Sequence, residues 1–87
     1  MHEFSVMADL LRKIQQLAKE AEVDQVVGVK VKLGALSHIT PDHFREHFEE
    51  AIVGTVAEGA ELDVEQCHDQ NDPNAQDILL QSIEVAA

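Results

Sequence analysis

The segment from Asp24 to Leu33 constrains the fold of this chain more than any other. Its residues Val27, Val29 and Val31 alternate with polar residues or glycine, and Leu33 continues the pattern. A period of two in a segment rich in β-branched residues is typical of a strand with one buried face. That face needs a cover, and the sequence on both sides of the strand has the period of a helix. We therefore predict a sheet that is covered by helices.

The two helical patterns have recognisable starts. The first runs over residues 5–22, with Ser5 as its N-cap and the apolar residues in one broad sector. The second starts at Thr40–Asp42 and runs to about Val53. A hydroxyl cap, a proline at the first helical position and a carboxylate in the first turn together indicate a helix N-terminus.

Two further strands are predicted, over residues 60–66 and 77–85, and the polar segment 67–76 between them reads as a loop. The whole chain, residues 1–87, is expected to form a single α+β domain. Its predicted architecture is two helices packed on one face of a three-stranded sheet. The last two strands are expected to pair as a hairpin. Charged residues occupy the predicted outer face of the sheet: Lys30, Lys32, Glu61, Asp63 and Glu65.

The charge balance excludes several kinds of partner. The chain has 17 acidic and 6 basic residues, for a formal net charge of -11. Phosphate backbones and anionic lipid repel such a chain, so we expect neither a nucleic acid nor a membrane as its partner. No apolar run is long enough to cross a bilayer, and the single cysteine, Cys67, cannot form an internal disulfide. These features predict a cytoplasmic protein.

The sequence does not favour an enzyme. It contains no P-loop, dinucleotide-binding glycine pattern or nucleophile elbow. Cys67 and His68 are adjacent, but neighbouring residues of a strand point to opposite faces, which argues against a catalytic pair. We predict no catalytic residues.

The first three residues, Met1, His2 and Glu3, suit a metal ion. The Met1 amine, the His2 backbone nitrogen and imidazole Nδ1, and the Glu3 backbone nitrogen are four donors near one plane. A square-planar nitrogen set suits Ni(II) or Cu(II). In the alternative interpretation the histidine has no role, because terminal residues are commonly frayed.

A second group of potential ligands lies on the second helix. His43 and His47 are four residues apart, and Glu50 follows on the same face. Two histidines at this spacing can share a metal ion, but a solvated polar face is the more common meaning of the pattern. A weaker possibility is a site formed by His38 together with this pair.

Four blocks of sequence, in order, resemble one protein family. They are Met1–Met7, Val29–Ser37, Gly54–Leu62 and Leu80–Val85. Together they are similar to the HypA/HybF family, the nickel-incorporation proteins of hydrogenase and urease maturation. The resemblance implies a nickel-binding α+β domain in which His2 and the backbone nitrogens of the first residues hold Ni(II). It also implies a nickel-delivering maturation GTPase or a nickel-enzyme precursor as partner.

The chain departs from the family pattern at two places. Family members carry a zinc module with two Cys-x-x-Cys pairs between the last two strands, whereas this chain has only Cys67 there. One cysteine cannot form a closed structural zinc site, so zinc is not expected. Thr40 lies where the family often has a carboxylate near the nickel, and Asp42 follows two residues later. The resemblance therefore predicts a nickel metallochaperone, or alternatively a zinc-less scaffold or protein-interaction module with weak or no metal binding.

Overall fold

The computed structural model describes the backbone of residues 3–86 and the side chains of residues 7–86. The predicted order of helix, strand, helix, strand, strand is confirmed. The described part of the first helix begins at Glu3, so the prediction that Ser5 caps it is wrong. Ser5 lies within the first turn, where serine is also common, and a local signal rarely fixes a helix boundary to better than one or two residues. The elements are α1 (Glu3–Glu20), β1 (Val26–Leu33), α2 (Pro41–Ala51), β2 (Glu61–Gln66) and β3 (Ile78–Val85).

The three strands form one mixed sheet with the order β2-β1-β3. β1 pairs in parallel with β2, where Leu33 lies opposite Gln66. On its other side β1 pairs antiparallel with β3, where Leu33 lies opposite Ile78. The predicted hairpin between β2 and β3 is therefore wrong, because β1 separates these two strands.

The sheet order follows from the way the strands are connected. β1, α2 and β2 form a strand–helix–strand unit, and a helical crossover of this kind places its two strands parallel and side by side. The most apolar strand, β1, thereby lies in the centre and gains a partner on each edge. The segment 67–77 is long enough to pass from the end of β2, over the end of β1, to the start of β3.

The hydrophobic core lies between the sheet and the two helices. α1 contributes Ile14, β1 contributes Val31 and Leu33, and α2 contributes Phe44 and Phe48, all of which are at most 1% exposed. These residues belong to one continuous cluster of buried side chains. The prediction of two helices on a three-stranded sheet is confirmed.

One part of the predicted strand alternation is wrong. Val27 is 41% exposed, whereas Val26 is fully buried. The pairing of β1 with β3 shifts between Val26 and Gly28. A bulge of this kind changes the phase of the alternation by one residue, and the predicted phase holds again from Val29 to Leu33. The charged residues predicted for the outer face are exposed or, for Lys32, half-buried.

Within residues 3–86, neither helix has the length and the apolar composition that would be needed to span a bilayer.

Candidate metal centre

The predicted metal-binding tripeptide lies largely outside the described residues. Met1 and His2 are not among residues 3–86, and Glu3 is the first described residue of α1. The proposed ligand set of Met1, His2 and Glu3 therefore stays a prediction. One feature bears on it. The backbone nitrogen of Glu3 belongs to the first turn of a helix, where N–H groups have no acceptor within the helix.

The N-terminus of α2 is built as the sequence predicts. Thr40 adopts an extended conformation and its Oγ1 accepts a hydrogen bond from the His43 backbone nitrogen at 3.1 Å. Pro41 follows at the start of the helix, and Asp42 lies in the first turn. The Thr40 hydroxyl is thus used to cap the helix. Asp42 is exposed.

The two histidines of α2 are brought together. Nε2 of His43 and Nε2 of His47 are 2.8 Å apart. Their ring centres are 4.6 Å apart, and the ring planes are inclined by 47°. His43 is exposed and His47 is half-buried. The predicted pairing of these side chains at a spacing of four residues is therefore realised as a hydrogen bond between the two rings, in which one Nε2 donates and the other accepts.

Glu50, which was predicted to share this face, is exposed. Among the residues that the structure describes, no three His, Cys, Asp or Glu side chains are grouped so that they could hold a metal ion together. The described residues therefore supply two potential ligands at the histidine pair and no third one.

The other candidate ligands are distributed around the fold. His38 is exposed and has a positive φ of 62° in the connection between β1 and α2. Cys67 is half-buried just after β2, and its backbone nitrogen donates to the Leu33 carbonyl at 2.8 Å. His68 is exposed. Among the described residues, neither His38 nor the neighbouring pair Cys67 and His68 belongs to a group of three potential metal ligands.

One contact that positions α2 has no sequence signal. The Arg45 guanidinium donates a hydrogen bond to the Leu62 carbonyl of β2 at 3.0 Å, and this bond is partly buried. Arg45 lies between the two histidines in the sequence and points toward the sheet. A spacing rule cannot find such a contact because its acceptor is a backbone atom 17 positions away.

The chain is similar to known proteins in both sequence and fold. Residues 1–72 match the family model described as "Hydrogenase/urease nickel incorporation, metallochaperone, hypA". The chain is similar to the hydrogenase maturation factor HypA of Archaeoglobus fulgidus, with 36% identity over 64 residues, which is 74% of this chain and 58% of that protein. It is also similar to the HypA of Aquifex aeolicus, with 42% identity over 65 residues, which is 75% of this chain and 56% of that protein.

The matches thus span less than two thirds of the length of these curated relatives. The fold is similar to the solution structure of the nickel metallochaperone HypA from Helicobacter pylori. The TM-score is 0.81, the sequence identity is 22%, and the alignment covers 100% of this chain and 99% of that one. At this identity the likeness supports the fold alone.

Proposed function

The chain belongs to the HypA family of hydrogenase and urease nickel-incorporation metallochaperones, and from this membership we propose that it binds Ni(II) and delivers it during maturation of a nickel enzyme. The observation that carries the proposal is the family match over residues 1–72, which includes the N-terminal tripeptide and α2. The role is that of a carrier, with Ni(II) as its cargo and no catalysis.

The nickel is held by the N-terminal tripeptide. The donors are the Met1 amine, the His2 backbone nitrogen and imidazole Nδ1, and the Glu3 backbone nitrogen. Four nitrogens in a plane suit Ni(II), which accepts square-planar coordination more readily than zinc does. The position of Glu3 in the first turn of α1 supports this ligand set, because its amide nitrogen is not needed for a hydrogen bond within the helix.

Release of the metal follows from the same donors. Protons compete with nickel for the amine, the imidazole and the amide nitrogens, so binding weakens as the pH falls. A partner that offers ligands of its own can then remove the ion. The partner in this proposal is a nickel-delivering maturation GTPase or the nickel-enzyme precursor itself. The net charge of -11 favours a partner with a basic contact surface.

The proposal includes a cytoplasmic location. The half-buried Cys67 is a free thiol, which is consistent with a reducing compartment.

A second function is favoured by one structural observation. Thr40, at the position where the family often has a carboxylate, uses its hydroxyl to cap α2 and carries no negative charge for a metal. A nickel site without that carboxylate would be weaker. The alternative is therefore a scaffold or protein-interaction module that binds metal weakly or not at all.

A Ni(II) titration followed by optical absorption tests the proposal. Three proteins are compared: the chain with an unmodified Met1, a copy with one glycine added before Met1, and His2→Ala. The added glycine moves the terminal amine away and leaves every side chain in place. The expected result is a square-planar absorption band that saturates at one equivalent in the first protein and is absent from the other two.

His68→Ala is the matched control, because it removes an exposed histidine from a loop distant in sequence from the tripeptide. It should bind nickel as the unmodified chain does. A band of equal strength in the glycine-extended copy would contradict the terminal site. If none of the four proteins gave the band and the chain nevertheless captured a purified maturation GTPase without nickel, the scaffold function would be the correct one.

A further inference from the structure

We propose that the free edge of β2 binds an extended, basic segment of a partner protein, which joins the sheet as an added strand. β2 lies at the end of the strand order, with β1 on one side of it and no described strand on the other. The segment that fits this edge alternates apolar residues with lysine or arginine. The edge does not include the N-terminal tripeptide, so binding there does not depend on nickel.

The hydrogen bonds of β2 show which of its backbone groups face outward. The Cys67 nitrogen, just after β2, donates to the Leu33 carbonyl of β1 at 2.8 Å. Successive residues of a strand point their N–H and C=O groups to opposite sides. The odd-numbered residues of β2 therefore face β1, and the even-numbered ones face the free edge. The bond from Arg45 to the Leu62 carbonyl agrees with this assignment, because its donor belongs to α2 and not to β1.

Arg45 covers only the beginning of this edge. Leu62, whose carbonyl it binds, is 9% exposed, whereas Val64 and Gln66 are half-buried. Among residues 3–86, no hydrogen bond reaches the outward N–H and C=O groups of Val64 and Gln66. Such a row of donors and acceptors is a template for another strand. The second half of β2 is therefore open to a partner segment.

The other edge of the sheet, β3, is less suited to this role. Its pairing with β1 shifts at Gln81, which is an extra residue between Leu80 and Ser82. A bulge of this kind interrupts the regular row of backbone groups that an added strand needs. β2 keeps its register with β1 without a shift from Glu61 to Gln66.

The charged side chains of β2 decide which segment fits. Asp63 and Glu65 are exposed on the outer face of the sheet, where Lys30 and Lys32 of β1 lie opposite them. A strand on the free edge would lie beside the same carboxylates, because opposite side chains of neighbouring strands are about 4.5–5.5 Å apart. Opposite charges at that distance attract, so the segment should carry lysine or arginine at alternate positions.

The positions between these basic residues face the helices. There the segment would lie beside the half-buried Val64, so apolar residues are favoured. β1 is an example of this pattern within the chain. Its residues Val29 and Val31 alternate with Lys30 and Lys32, and it pairs with β2 along the opposite edge.

A second copy of β2 is a poor occupant of this edge. Two paired β2 strands would place the carboxylates of one copy beside those of the other on the same face, and like charges directly opposite each other destabilise a sheet. The net charge of -11 adds to the repulsion between copies. The occupant is therefore a segment of opposite charge.

The test titrates capped six-residue peptides into the nitrogen-15-labelled protein without nickel and follows its amide NMR signals. A peptide that alternates lysine with valine should shift the signals of β2 and saturate. A peptide that alternates glutamate with valine has similar strand propensity and the opposite charge, and it should not bind.

Two further copies of the lysine peptide separate strand pairing from attraction between charges. One is N-methylated at every valine and the other at every lysine. Only one edge of the peptide faces β2, so one copy should bind at least about tenfold more weakly, through lost hydrogen bonds, and the other should bind as the unmodified peptide does.

A pair of protein variants tests the charges. Asp63→Asn combined with Glu65→Gln should weaken binding of the lysine peptide about three- to tenfold, the scale of two exposed ion pairs. Glu22→Gln combined with Asp24→Asn is the matched control. It removes the same amount of charge from exposed residues before β1 and should leave binding unchanged.

Hydrogen exchange needs no substitution. In the free protein the amide hydrogens of Asp63 and Glu65 should exchange slowly, since they bond to β1, and those of Val64 and Gln66 should exchange fast. The lysine peptide should slow the exchange of Val64 and Gln66.

Four results would overturn the proposal. They are no binding of the lysine peptide, equal binding of the glutamate peptide, undiminished binding of both N-methylated copies, and equal weakening by the edge variant and its control. Because none of these measurements contains nickel, they leave the nickel titration to decide the carrier function separately.

Discussion

Gly34 lies against the backbone of Ala75, so closely that a Cβ atom on Gly34 would overlap the Ala75 carbonyl oxygen. The same carbonyl accepts a hydrogen bond from the Leu36 backbone nitrogen at 2.6 Å, and the Gly34 nitrogen donates to the Asp77 carbonyl at 2.9 Å. The contact exists because the segment 67–77 crosses the end of β1 on its way from β2 to β3. Gly34 is the residue immediately after β1, and only a residue without a side chain leaves room for that crossing.

Gly34→Ala should therefore destabilise the protein by about 1–3 kcal/mol, the usual cost of forcing extra atoms into a packed site. The neighbours that must move are backbone atoms of Asn74 and Ala75, which cannot be displaced by a change of rotamer. Urea unfolding followed by circular dichroism would measure the change.

Gly28→Ala is the matched control, since a Cβ there would lie 3.3 Å from the Glu84 Cβ, a tight contact but one without the overlap found at Gly34. We expect a smaller loss of stability for it. Equal midpoints for the two variants would show that the crossing segment adapts to a side chain at Gly34.

Thr40→Val removes the hydroxyl that caps α2 and nearly keeps the shape of the residue. The loss of an N-cap costs about 1 kcal/mol of stability. Thr40→Asp should keep stability close to that of the parent, because aspartate is an equally good cap and its charge is favourable at a helix N-terminus. Thermal unfolding of the three proteins would measure both effects.

Thr40→Asp also tests the nickel site. It places a carboxylate where the family often has one, so we expect it to tighten nickel binding in the chain with an unmodified Met1 and to leave the glycine-extended copy unchanged. Equal affinity of Thr40→Asp and the parent in the unmodified chain would mean that position 40 does not reach the terminal metal.

Arg45→Met should lower stability by about 1.5–3 kcal/mol, because it removes a partly buried hydrogen bond from a charged donor while keeping most of the aliphatic stem. The matched control is Arg12→Met. Arg12 pairs with Asp9 at 2.8 Å, but the two side chains are 72% and 63% exposed. Such surface pairs contribute about 0–1 kcal/mol. A larger loss for Arg12→Met than for Arg45→Met in urea unfolding would contradict the assigned role of Arg45.

The sequence predicted the elements of this fold better than their arrangement. The strand Val26–Leu33 and the helix that begins at Pro41 have local signals, namely alternation, a cap and a proline, and these signals predict both elements correctly. The pairing of β2 with β1 instead of β3 is decided by the crossover through α2, which is a property of the connected chain. The exposure of Val27 depends on a bulge opposite β3, which also has no local signal.

The candidate site was predicted to a similar extent. The spacing of His43 and His47 places them on one helix face, and this was readable from the sequence. Spacing does not give the distance between the ring nitrogens, because that depends on side-chain rotamers and on the packing that fixes them. The sequence around Arg45 likewise contains no pattern that predicts its contact with β2. The ligand set of Met1, His2 and Glu3 is a prediction from chelate chemistry and family resemblance, and the titration described above decides it.

Phe48 offers the strongest test of how the core supports the histidine pair. It is fully buried, and its ring lies 6.1 Å from that of Phe44, with the two ring planes inclined by 27°. Phe48→Ala removes a large buried side chain, which typically costs about 3–5 kcal/mol. A domain of this size has roughly 4–13 kcal/mol of total stability. The variant should therefore unfold at a much lower urea concentration than its parent.

Val53→Ala is the control for this substitution, because Val53 is 66% exposed just beyond α2 and its truncation should leave the unfolding midpoint unchanged. Phe48→Leu is the intermediate case. It fills part of the space, so its unfolding midpoint should lie between those of Phe48→Ala and the parent. If Phe48→Ala kept the parent's unfolding midpoint, α2 would not be anchored by its phenylalanines, and the fixed geometry of the histidine pair would need a different cause.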